Sequence, residues 1–186
     1  MSKRDELSEQ ATDYALENGL IGLSLRPLAA ELGTSDRMLI YHFGSKDALV
    51  AAILATSCDR SVEKIRALPA SPSVRQAVID LWEAWEVPEM LRCQRLYVEA
   101  AALGLFGREP YATSVRATND VWMAEVIAHL ERSGAGDQAA RLGTLVDAAF
   151  NGILLDRPLD ESRESRKIVE DLADALALGS SLASGR

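Results

Sequence analysis

Between Ser24 and Lys46 the chain carries groups suited to gripping a polyanion rather than cleaving anything. Tyr41, His42, Ser45 and Lys46 set a phenol, an imidazole, a hydroxyl and an ammonium around one turn. Such donors at consecutive positions suit consecutive phosphates, and a helix starting at Ser45 adds unpaired backbone N–H groups. Just upstream stand Asp36, Arg37 and Met38. An arginine can make paired bonds to guanine O6 and N7, worth about 1–3 kcal/mol of discrimination. An aspartate can accept from a cytosine amine, but its simpler role at a helix start is a favourable charge on the positive end. Met38 offers apolar contact only. Groupings that would support catalysis are absent from the sequence. The two histidines, His42 and His129, are far apart in the chain, and neither Cys58 nor Cys93 has a histidine near it. No phosphate loop, paired-cysteine metal spacing or Gly-x-Ser-x-Gly turn occurs. Glu83, Glu86 and Glu89 read as a solvated helix face. No enzyme activity, metal or cofactor is expected.

The elements that position these groups read as helices throughout, since apolar residues recur at helical spacing and no segment alternates in strand fashion. A first helix is expected over 4–18, with Leu7, Ala11, Tyr14 and Ala15 on one face and Asn18-Gly19 as its stop. Ser24 is placed to cap a second helix over 24–32, with Pro27 in its first turn. Ser35 is placed to cap a third over 35–43, with Leu39 and Phe43 inward. Two short helices joined at Gly33-Thr34 form a helix-turn-helix, whose second helix can enter a major groove. Ser45 opens a fourth helix to about residue 67. Pro69, Ser71 and Pro72 then mark a hinge. Further helices are expected over 73–86, 89–104, 110–132, 137–156 and 160–178, followed by a flexible tail over 179–186. The expected class is all-α with about nine helices. Residues 1–50 are expected to form a three-helix DNA-binding domain, 51–68 a connecting helix, and 69–178 a larger domain, to which the family resemblance given below assigns effector binding and dimerisation.

With 186 residues, 48% of them hydrophobic and 26% charged, the chain can build a core without disulfides or metal and is too apolar to be disordered. No apolar run approaches the ~20 residues of a membrane span. The opening MSKRDELSEQ turns acidic before any apolar stretch, so no secretory signal is read there, and two reduced thiols in a cytoplasmic protein are expected. The net charge of −8 argues against a nucleic-acid partner on its own. Through Val50 there are five basic and eight acidic residues, a net of −3; the remainder has fifteen and twenty, a net of −5. The acids Asp5, Glu6, Glu9 and Asp13 cluster on the first helix, whereas Arg26, Arg37 and Lys46 stand in the contact elements. With a Debye length near ~8 Å, that local patch acts while distant acids are screened.

The stretch from Leu7 to about Leu54 resembles the DNA-binding domain of the TetR (tetracycline-repressor-like) family of bacterial transcriptional regulators. The likeness is carried by Ser24-Leu25-Arg26-Pro27-Leu28-Ala29, by Glu31-Leu32-Gly33-Thr34-Ser35 and by Leu39-Ile40-Tyr41-His42-Phe43-Gly44-Ser45-Lys46. The resemblance implies that Ser24 caps the second helix and touches a phosphate, and that Arg26 reaches a base edge or a phosphate. It places Thr34 and Ser35 at the backbone, Asp36, Arg37 and Met38 toward the bases, and Tyr41, His42 and Lys46 on phosphates. The chain departs from the family pattern at Ile40, where an aromatic is usual, and at Arg37 and Met38, where a small residue and a threonine are common. The operator sequence is therefore not carried over.

The second half offers a sensor and a dimer surface. The helix over 137–156 is apolar almost all round and must be covered on every side. Leu142, Leu145, Val146, Ala149 and Ile153, with Ile168, Leu172 and Leu176 of the last helix, are expected at a homodimer interface, with Gly143, Ala149 and Gly152 allowing close approach. Aromatics gather in the middle helices, and Trp82, Trp85, Arg92, Tyr97, Trp122 and His129 are candidates for a small-molecule pocket. The expected function is a ligand-responsive repressor that binds a pseudo-palindromic double-stranded operator as a homodimer and is released by an apolar or amphipathic effector. The alternative is a dimeric regulator with no small-molecule effector, controlled by a protein partner or acting as an activator.

Overall fold

The computed structural model describes residues 2–157 and 164–184, which are helical apart from short connections. The helices are α1 (Lys3–Asn18), α2 (Leu25–Glu31), α3 (Asp36–Phe43), α4 (Lys46–Arg66), α5 (Val74–Trp85), α6 (Pro88–Leu105), α7 (Tyr111–Leu130), α8 (Ala139–Asp156) and α9 (Ser165–Ser184). A π-helical turn over Glu131–Ala135 and a 3-10 turn over Gly136–Gln138 join α7 to α8. The start expected at residue 160 lies outside the described residues. Helix α9 runs to Ser184, through most of the stretch expected as a tail.

Serine hydroxyls start several of these helices. Ser35 accepts from the Met38 N–H, Ser45 from that of Ala48, and Ser73 from that of Gln76, each satisfying a donor the first turn leaves unpaired. Ser24 corrects the expectation: it occupies the N-cap position of α2, yet its side chain makes no cap hydrogen bond. Gly44 ends α3 with φ 86°, a conformation open to glycine, and turns the chain directly into α4.

Packing divides the chain into two compact units that do not follow chain order: Met1–Val62 with Pro88–Val121, and Glu63–Val87 with Trp122–Arg186. In the first unit, Leu7, Ala11, Leu28, Leu39, Leu49 and Ile53 form a core that Cys93, Leu96 and Ala100 of α6 complete. The helix-turn-helix therefore rests on α6 as well as on α1 and α4. Ser8 and Thr56 share a hydrogen bond of 2.9 Å, and Arg60 of α4 reaches both Glu9 and Asp13 of α1. Burial pushes the Cys58 thiol up to about 11, and its S–H donates to the Thr118 carbonyl, so it stays protonated.

In the second unit the core joins Val78, Leu81, Trp82 and Trp85 of α5, Val126 and Leu130 of α7, Leu142, Val146 and Phe150 of α8, and Val169, Ala173 and Leu176 of α9. Leu142, Val146 and Leu176, expected at a dimer surface, are thus already buried in their own chain. Gly143 likewise serves the chain itself: a Cβ there would meet Ile127 at 3.1 Å.

The break after α4 is fixed by a buried polar network. Ser71 donates to Asp80, and its backbone N–H reaches Ser133, whose hydroxyl donates to the His129 carbonyl. With its proton given to Asp80, the Ser71 oxygen is left to accept from His129 Nε2, 3.4 Å away, while Nδ1 has no partner. Burial, aided by Arg132, holds the imidazole below its usual pKa, because a second proton would have no acceptor. Unfolding returns His129 to about 6.5. The unfolded chain then binds more protons than the folded one, so this group's share of stability is intact above about pH 6.5 and declines as pH falls toward the depressed folded value. Thermal denaturation between about pH 7.5 and 5 should show that decline, and His129→Gln should flatten it.

Candidate nucleic-acid interface

Leu28, Ala29, Leu39 and Phe43 turn one side of the α2–α3 corner into the core. The other side is open. Ser24, Arg26, Ser35, Asp36, Arg37, Met38, Tyr41 and Lys46 are exposed, and Thr34 and His42 are half-buried. Tyr41 is 77% exposed and touches the His42 ring edge-on at 5.2 Å, so its ring spends no surface on the core. Ile40 is half-buried, partly turned inward where an outward aromatic would contact a partner. Asp36 accepts from the Arg37 N–H at 3.1 Å, consistent with a helix-end charge and leaving the Arg37 guanidinium exposed.

Two cationic contacts exceed what the sequence suggests. The Lys46 ammonium donates to the Leu23 carbonyl, tying the start of α4 to the α1–α2 turn and leaving two N–H donors for solvent or phosphate. The Arg4 guanidinium lies 5.2 Å over the Phe43 ring, which extends the cationic edge beside the end of α3.

The residue that sequence reasoning misses is Glu99. From α6 its carboxylate accepts from the backbone N–H groups of Leu20 at 2.6 Å and Ile21 at 3.0 Å. The α1–α2 turn, which sets where α2 begins, is thereby held by two charge-assisted bonds. Gly19 makes room for them: its φ is 79°, and a Cβ there would stand 2.7 Å from a Glu99 oxygen. The only hint in the sequence is an acid set among Val98, Ala100 and Ala101, in an otherwise apolar stretch.

Of the six expected pocket residues, Trp82, Trp85, Trp122 and His129 belong to the second unit. Trp85 and Trp122 stack at 5.5 Å and 7°, Trp82 meets Phe150 edge-on at 4.9 Å, and His129 belongs to the Ser71 network. Arg92 and Tyr97 lie on α6, which belongs to the first unit. Beside the stacked tryptophans a crevice of about 10 Å³ remains, reached by Phe150 and by the unexpected Asp147. Among the described residues no three His, Cys, Asp or Glu side chains gather as a metal site would need, and no single helix is long and apolar enough to cross a membrane.

Glu99→Ala should lower stability by about 1–3 kcal/mol, since it leaves two backbone donors unpaired; both bonds fall on one oxygen, Oε2, so Glu99→Gln can keep both through its carbonyl and should lose only the charge assistance, a smaller cost. Urea denaturation of the two variants measures the difference. Gly19→Ala should resemble Glu99→Ala or exceed it, because it adds backbone strain to the displaced carboxylate.

Residues 9–53 match the family model described as bacterial regulatory proteins, tetR family. No curated protein matches the sequence significantly. Among solved structures, a TetR-family transcriptional regulator from Rhodococcus sp. shares the fold with a TM-score of 0.76 at 18% identity, over 94% of this chain and 97% of its own. A TetR transcription regulator from Haloarcula marismortui aligns with a TM-score of 0.71 at 18% identity, over 96% and 98%. The multidrug binding protein EbrR, solved with imidazole, aligns with a TM-score of 0.70 at 22% identity, over 95% and 96%. Residues 9–53 thus form a helix-turn-helix segment of the tetR family, set in a chain that has the fold of such regulators.

Proposed function

We propose that the protein binds a pseudo-palindromic operator as a homodimer, with α3 of each subunit in a major groove, and that a small apolar or amphipathic effector releases it. The observation that carries the DNA-binding surface is the division of labour on α2 and α3: their apolar side is consumed by the core, while Arg26, Arg37, Met38, Tyr41 and Lys46 stand exposed on the remainder. Arg37 reads a base, and Tyr41, His42 and Lys46 hold phosphates at the turn into α4. For the dimer, Ala149, Gly152 and Ile153 of α8 and Ile168 and Leu172 of α9 line one groove, and Leu145 is exposed on α8. A second copy is the occupant that two-fold operator binding calls for. For the effector, support comes from EbrR, a multidrug binding protein of similar fold.

One observation favours the second reading. The crevice in the second unit holds only about 10 Å³, about the space of one water, so its aromatics fill their own interior. A dimeric regulator governed by a protein partner, or acting as an activator, would need no more.

Operator sites selected from a random DNA pool test the reading directly. Tyr41→Ala and Lys46→Ala should each weaken binding across all selected sequences; unchanged affinity in both overturns the phosphate assignment. Arg37→Ala should cost about 1–3 kcal/mol and relax preference at one base pair. With Arg4, Arg26, Arg37 and Lys46 as the cations near the surface, log Kobs against log salt should fall no more steeply than roughly −4 per subunit. Ile153→Glu places a charge in the α8–α9 groove, and sedimentation should show monomers with weakened operator binding.

A further inference from the structure

We infer that the ring cluster of Trp85, Trp122 and Phe150, with the Asp147 carboxylate at its edge, is a binding site for an organic cation bearing an apolar or aromatic body. The inference names the effector class for the release mechanism proposed above, and it rests on that reading for its consequence on DNA. Asp147 is half-buried on α8. Its oxygens accept from Trp122 Nε1 at 3.0 Å and from the Asn151 amide at 3.1 Å, both neutral donors. Among the described residues no cation of this chain pairs with it, although carboxylates taken out of water are ordinarily paired. Burial accordingly pushes its pKa up.

The surroundings supply what a cation needs. Trp85 and Trp122 stack nearly parallel, and Phe150 stands 5.2 Å from Trp85. Aromatic faces carry negative electrostatic potential and attract ammonium and guanidinium groups. A neighbouring ring already holds a cation: the Arg157 guanidinium sits 5.8 Å over Trp82, which packs edge-on against Phe150. Trp122 is half-buried whereas Trp85 is 4% exposed, so Trp122 is the ring that can swing aside without emptying the core. Its departure would enlarge the crevice that Trp85, Leu81 and Val146 also line. It also strips Asp147 of a donor. A neutral guest leaves that carboxylate short of a partner and an anion is repelled; a cation satisfies both the ring face and the charge. The guest therefore selects the opened state by its charge.

Tryptophan fluorescence of the full chain, titrated with three probes of similar shape, tests this. Phenyltrimethylammonium should bind at least about tenfold more tightly than uncharged tert-butylbenzene or anionic benzenesulfonate. Asp147→Asn keeps an acceptor for Trp122 Nε1 and should weaken the cation about tenfold while leaving tert-butylbenzene unchanged. A cation bound no more tightly than the neutral probe in the unmodified chain overturns the inference without recourse to any variant, and so does undiminished cation binding by Asp147→Asn. Phenyltrimethylammonium added to the operator complex then examines the release mechanism separately. Dissociation supports it; a cation bound while the DNA stays in place overturns the effector reading and leaves the site standing.

Discussion

The placement of the DNA-facing corner depends on the grip of Glu99 on the backbone of Leu20 and Ile21. Helices of seven and eight residues have little intrinsic stability, and α2 and α3 must also keep one side free of the core. Their angle must therefore be imposed from behind. Leu28, Leu39 and Phe43 supply the apolar hold, but apolar packing is non-directional, and a turn of six residues before α2 would otherwise be free to shift. A carboxylate accepting two successive N–H groups is directional. The Lys46 ammonium on the Leu23 carbonyl fastens the other end of the same turn. Between them, an anion and a cation fix a loop that has almost no side-chain chemistry of its own.

The acidic character of the chain takes a different meaning in this setting. Two of the acids on α1, Glu9 and Asp13, are engaged by Arg60 and hold α4 against α1. They act within the unit as fasteners rather than as part of a repulsive field facing DNA. Within residues 1–50 the cations are Lys3, Arg4, Arg26, Arg37 and Lys46, all exposed and placed at the starts of α1, α2, α3 and α4. In the mode of binding proposed above, selectivity would rest on position and on base contact more than on bulk attraction.

Much of this was legible in the sequence because local rules govern it. Helix starts at Ser35, Ser45 and Ser73 and the stop at Gly44 follow from hydrogen-bond chemistry within a few residues, and the inward stripe of Leu39 and Phe43 follows from helical period. Ser24 was misjudged because position does not guarantee the rotamer that closes a cap. Glu99, Asp147 and the Ser71–His129 network were not legible. Each joins residues more than twenty positions apart or depends on which partner is missing, and no periodicity encodes either. Leu142 and Val146 looked like partner-facing residues because α8 is apolar all round; only packing shows which side its own chain covers.

The interleaving of the two units has a consequence for synthesis. The helix-turn-helix emerges from the ribosome before α6, so its core lacks Cys93, Leu96 and Ala100, and its turn lacks Glu99, until α6 has been made. Bringing those distant segments together carries a loop-closure cost that local helices do not. The helix-turn-helix is thus translated before the helix that completes it and becomes rigid only after that helix is made. A nascent chain cut short before residue 88 would carry Arg26, Arg37 and Lys46, the side chains proposed above to meet DNA, on an unfinished scaffold.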